Sequence, residues 1–186
     1  MSFVSNYAGE DGGAIYADYS NVSWNGDGTE FISNSAGDFG GAIFAYNSTV
    51  SWDGDGTLFS DNSAGDDGGA ISATGSSTVS WDGDGTLFSN NSADVFGGAI
   101  YTAGSNLSLV GNGTLFSSNS AGAEGGAIYA SDSTVELDGD TTFSSNIVGG
   151  SGGALALVEI GSDGDTDIWP SFIGTVFIDN RAGTHG

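Results

Sequence analysis

The residues with most chemical potential in this chain are its carboxylates, and they recur in a fixed pattern. Pairs separated by one glycine stand at Asp53 and Asp55, Asp82 and Asp84, and Asp138 and Asp140; Asn25-Gly-Asp27 and Asn112 hold related positions. A further run sets Asp163, Asp165 and Asp167 at alternate positions, as the first ligands of a calcium loop are set. Calcium prefers carboxylate and carbonyl oxygens, and such turns offer both. Stacked carboxylates also repel one another, and a bound cation relieves that repulsion. Calcium is therefore the expected cofactor at these nine aspartates. The competing reading is plain turn chemistry with solvated charges, because Asp and Gly are turn residues in their own right.

Other side chains narrow the function classes. Tyr16, Phe44, Tyr101 and Tyr129 each follow an aliphatic residue by one position, with Ser72 and Ala156 interrupting the series. They are expected on the outside of the fold, as a binding surface for sugars or a protein partner. Thr29, Thr57, Thr86, Thr114, Thr141 and Thr175 form one further column, and a threonine column on a flat sheet raises ice binding as an alternative. Catalysis has thin support. The chain has one histidine, His185, and one basic side chain, Arg181. Its carboxylate pairs are repeated, whereas a catalytic site normally occurs once, so no enzyme is expected. With 24 acidic residues and a net charge of −23, the chain lacks the lysines and arginines that phosphate recognition requires, and nucleic acid is excluded as a partner. Anionic membrane surfaces repel it, and no apolar run approaches the roughly 20 residues of a membrane helix. Cysteine is absent, which removes disulfides and thiolate metal sites.

The elements that position these residues follow from internal repetition. The tetrapeptide Gly-Gly-Ala-Ile begins at Gly12, Gly40, Gly68, Gly97 and Gly125, with Gly-Gly-Ala-Leu at Gly152. F-x-x-N begins at Phe3, Phe31, Phe59, Phe88, Phe116, Phe143 and Phe177. Each unit, about 28 residues long, holds three short β-type segments separated by Gly, Asp, Asn and Ser. The same segments return in the same order and direction, so a parallel stack suits them better than hairpins. The reading is an all-β fold, a parallel β-helix (solenoid) of six to seven coils, about 30 Å long at one strand spacing per coil. Phe, Ile and Val/Trp columns form its core. Asn6, Asn34, Asn62, Asn91, Asn119, Asn146 and Asn180 form a side-chain ladder at a bend, where each amide donates to one neighbour and accepts from the other. The paired glycines provide positive φ or close backbone approach. Residues 1–186 read as a single array with an insertion at 161–170, expected to be a fragment of a longer rod.

Alternating GGA[IL] and F-x-x-N from Phe3 to the end resemble the repeat of the chlamydial polymorphic outer-membrane proteins. The resemblance implies a right-handed parallel β-helix on a cell surface, and in its best-known members an adhesin. Right-handedness also agrees with the general preference of parallel crossovers. The expected role is an extracellular structural or adhesive module, a rigid rod of a surface protein or filament. Its expected partners are other copies or neighbouring repeats of the rod, or a surface glycan or protein; a carbohydrate-binding or ice-binding surface is the alternative.

Overall fold

The computed structural model describes residues 1–158 and 171–183, and every regular element among them is a β-strand. One coil is represented by Leu58–Ser60, Ser63–Ala64, Ile71–Thr74 and Thr78–Trp81. The sequence predicts three extended segments per unit, and the structure has four. The segment at Phe59 breaks because Asp61 adopts φ 57°, and Ser5, Ser33, Asn90, Ser118, Ser145 and Asp179 do the same in the other coils. Small polar side chains tolerate this left-handed conformation better than β-branched or bulky ones, which is why x in the second slot of F-x-x-N is Ser, Asp or Asn.

All pairing is parallel, and each residue pairs with its equivalent one coil on: Phe31 with Phe59, Phe59 with Phe88, Phe88 with Phe116. The chain thus builds four sheets, two of seven strands and two of six. They are called here the Phe, Ala, Ile and Trp sheets after their inward residues. The Phe column continues past the insertion, because Phe143 pairs with Phe177. Successive coils approach closely at the Gly-Gly bend. Gly68 has φ 70°, and a Cβ on Gly69 would meet the carbonyl oxygen of Gly98 in the next coil. The first glycine therefore supplies the backbone conformation and the second the close approach.

The core lies inside the coils. Phe31, Phe59, Phe88, Phe116 and Phe143 are fully buried, and their rings stack 4.7–4.8 Å apart with planes within 7°. Ile43, Ile71, Ile100 and Ile128 fill the next wall, and Trp24, Trp52, Trp81, Leu109 and Leu137 the third. In-register strands set neighbouring rings one strand spacing apart, so stacking follows from register alone. Each coil buries its apolar faces only against its neighbours, as in other solenoids.

Candidate functional site

The glycine-spaced carboxylates form an outer edge whose second members bind the fold itself. Asp27 Oδ1 accepts the backbone N–H of Asp55 at 3.1 Å, Asp55 Oδ1 that of Asp84 at 2.9 Å, and Asp84 Oδ1 that of Asn112 at 2.8 Å. Asn112 adds a side-chain donor to Asp84 at 3.3 Å, so the one amide in the column meets a carboxylate with opposite hydrogen-bonding character. The first members are exposed. Asp53 and Asp82 together line a shallow concavity of about 370 Å³ on the outer face of the Trp sheet, beside Ser51 and Ser80, and Asp53 also borders a second of about 380 Å³ with Asn25. Asp138 and Asp140 are exposed further along the same edge. Among the described residues, no three His, Cys, Asp or Glu side chains gather as a metal-holding group. Asp163, Asp165 and Asp167 lie outside the described residues.

The aromatic column departs from its expected exposure. Tyr16, Phe44, Ser72, Tyr101, Tyr129 and Ala156 occupy equivalent outward positions on the Ile sheet. Tyr16 is 58% exposed, but Phe44 and Tyr129 are buried. The reason is a second column, immediately before the paired glycines, that folds over the first. Phe39 packs on Phe44, and Phe96 lies 4.6 Å from Tyr129 and 6.4 Å from Tyr101. Burial pushes the Tyr101 phenol up to about 12, with the charges of Asp67 and then Tyr129 adding to it. These rings chiefly cover each other. At the start of the same column Asp11 replaces Phe; its carboxyl is raised by burial, against the opposing bond from the Phe39 N–H.

The threonine column, raised as an ice-binding alternative, turns inward. Thr29, Thr57, Thr86, Thr114 and Thr141 are buried, so this column presents no face to ice. Two of them serve the tryptophans. Trp52 Nε1 donates to Thr86 Oγ1 at 3.3 Å, and Trp81 Nε1 to Thr114 Oγ1 at 3.1 Å. Where Leu109 and Leu137 replace Trp, the following hydroxyls, Thr141 and Thr175, have no hydrogen-bond partner. The Asn column makes an unbroken chain. Asn62 Nδ2 donates to Asn91 Oδ1 at 2.9 Å and to the Phe31 carbonyl at 2.9 Å, and the Asn62 N–H reaches the same Asn91 Oδ1 at 3.1 Å. Sequence reasoning missed a second ladder at another bend. The N–H groups of Ser20, Ser48 and Ser105 donate to the hydroxyls of Ser48, Ser77 and Ser133 at 3.0–3.2 Å. Its signal was present: a serine recurs two residues before the inward Val or Leu of the first five Trp-sheet strands, at Ser20, Ser48, Ser77, Ser105 and Ser133.

The comparisons with known proteins agree with this architecture. A family model described as Chlamydia polymorphic membrane protein (Chlamydia_PMP) repeat matches residues 1–18, 28–46, 56–74, 85–103, 113–131 and 140–157, more than half of the chain. No curated protein and no solved structure matches. Each matched unit runs from the Phe strand to the Ile strand. The intervals hold the Trp-sheet strands from Asn21–Trp24 to Thr134–Leu137, together with most of the acidic turns.

Proposed function

This chain belongs to the family of Chlamydia polymorphic membrane protein repeats, and from that membership we propose that it is a non-enzymatic structural and adhesive module of a cell-surface protein. The observation that carries the reading is the unbroken register of the coils. Phe, Asn and Gly-Gly ladders repeat with little change from coil to coil, which suits a rod that sets length and stiffness. The absence of an enzyme is argued from the same repetition, because the carboxylate pairs return in successive coils. Contacts with a glycan, a protein or other copies would be made by the outer columns, and the acidic turns would carry a layer of cations, calcium included. Beads coated with the full chain test adhesion. They are expected to attach to cultured cells more than albumin-coated beads do, and free chain is expected to compete. Equal attachment of both bead types would overturn the adhesive part of the reading.

The acidic edge is proposed to hold its cations by general attraction. Three of its carboxylates already accept backbone N–H groups, which leaves fewer oxygens for a coordination shell.

A further inference from the structure

The outer face of the Ile sheet departs from the repeat at two positions that meet. The turn leaving each Ile-sheet strand places one residue at positive φ: Tyr19 at 46°, Asn47 at 46°, Gly75 at 75°, Gly104 at 59° and Asp132 at 46°. Asn, Gly and Asp tolerate this conformation, whereas it strains a bulky aromatic residue. Tyr19 gains no burial in return, being 74% exposed. The second departure lies one coil on. The last outward position of the strand holds Asp18, Tyr46, Thr74, Ala103 and Ser131 in register, and among these only Tyr46 is aromatic. Tyr46 is 40% exposed. The Tyr19 and Tyr46 rings meet edge to face, with centroids 5.7 Å apart and planes at 85°. Two ring faces at a right angle form a corner open to solvent. Asp18 pairs in register with Tyr46 and precedes Tyr19 in the chain, which sets a carboxylate beside that corner. The Tyr19 phenol is raised, first by the charge and hydrogen bonding of Tyr46 and also by the charge of Asp18, with Asn47 opposing. Later coils close the same turn with Gly75 or Gly104 and no ring pair, so folding does not require the tyrosines. A strained residue that folding does not require points to a use elsewhere.

The charges of the corner decide what it accepts. The face of a phenol ring is negative and attracts cations. A flat guanidinium lies on such a face and turns its N–H groups toward a carboxylate. The net charge of −23 attracts cationic groups and repels anionic ones, while a neutral sugar gains nothing from it. The chain's single basic side chain, Arg181, belongs to the last coil, where it pairs in register with Ile147, so the cation has to come from outside. We propose that Tyr19, Tyr46 and Asp18 form an arginine-binding corner that holds one arginine side chain of a basic protein partner. The inference rests on the adhesive reading above and names the chemistry of the partner.

The probe is a blocked pentapeptide with one arginine between glycines, and its control carries neutral citrulline instead. Each is titrated into isotope-labelled full chain and followed by NMR of the tyrosine rings. The arginine peptide is expected to move the Tyr19 and Tyr46 signals along a saturating curve and to leave exposed Tyr7 unmoved. Citrulline peptide and a neutral oligosaccharide are expected to move neither. Equal movement of Tyr7, or an equal response to either control, would overturn the corner. Tyr19→Asn and Tyr46→Thr place the residues that the next coil holds at the same positions, Asn47 and Thr74. Each should weaken the peptide about tenfold, and Asp18→Asn about threefold. Tyr19→Asn should also raise the melting temperature by relieving the turn. Unchanged affinity in both tyrosine variants, or a lower melting temperature for Tyr19→Asn, would sink the proposal. Coated beads separate it from the adhesive reading. If wild-type and Tyr46→Thr beads attach to cells equally, the partner assigned to the corner falls and adhesion stands. If the peptide binds and no bead attaches, adhesion falls and the corner stands.

Discussion

At the scale of single residues, the tryptophan-to-threonine bonds explain where the core is well matched and where it is not. Thr86 and Thr114 accept from Trp52 and Trp81, whereas Thr141 lies buried with an unpartnered hydroxyl one coil beyond Leu109. Removing a buried hydroxyl that has no partner relieves a desolvation penalty, and removing one that serves a buried donor creates such a penalty. Thr141→Val is therefore expected to raise the unfolding free energy by about 1 kcal/mol. Thr86→Val should lower it by about 1–2 kcal/mol, because Trp52 Nε1 is left unsatisfied. Urea titration followed by tryptophan fluorescence measures both, and changes of the same sign would contradict the account. The threonine column was visible in the sequence, but its direction was not. Thr29 and its equivalents sit two residues before the inward Phe and share its face of the strand, so period-two alternation assigns them to the interior once the strand's start is known. The four-strand division of the coil supplies that start.

At the scale of the element, the coil depends on bends whose chemistry is read most directly from side-chain identity. The Asn ladder and the paired glycines were legible because each performs its task through a residue type with few substitutes. Asn both donates and accepts along the axis, and glycine alone tolerates the approach of a neighbouring carbonyl. The fourth strand was not legible, because the left-handed residue that creates it varies among Ser, Asp and Asn. Nor was the cover over Phe44 and Tyr129, which depends on contacts across a bend between columns five positions apart in sequence. Two substitutions separate these effects. Gly69→Ala drives a Cβ into the Gly98 carbonyl and is expected to abolish cooperative folding, whereas Gly56→Ala meets no atom and carries only the strain of φ 66°. That strain is about 1–2 kcal/mol. Circular dichroism melts read the difference, and equal effects would contradict the close-contact argument.

At the scale of the whole molecule, register converts local repetition into a continuous body, and charge sets the conditions under which it is stable. A net charge of −23 on 186 residues produces self-repulsion that salt screens. Melting temperature is expected to rise with sodium chloride, and equally with calcium or magnesium chloride at matched ionic strength. A rise confined to calcium would instead assign coordination to the acidic turns. The family-matched units supply the Phe, Ala and Ile walls, while the intervals between them supply the Trp wall and much of the acidic edge. The claim on which every other statement depends is the parallel, in-register stack. The most direct test is a nuclear Overhauser experiment on isotope-labelled chain. The account predicts backbone contacts between Val50 and Val79 and between Val79 and Leu107, with none between Val50 and Leu107. Hairpin contacts between consecutive segments, or contacts out of that register, would contradict it.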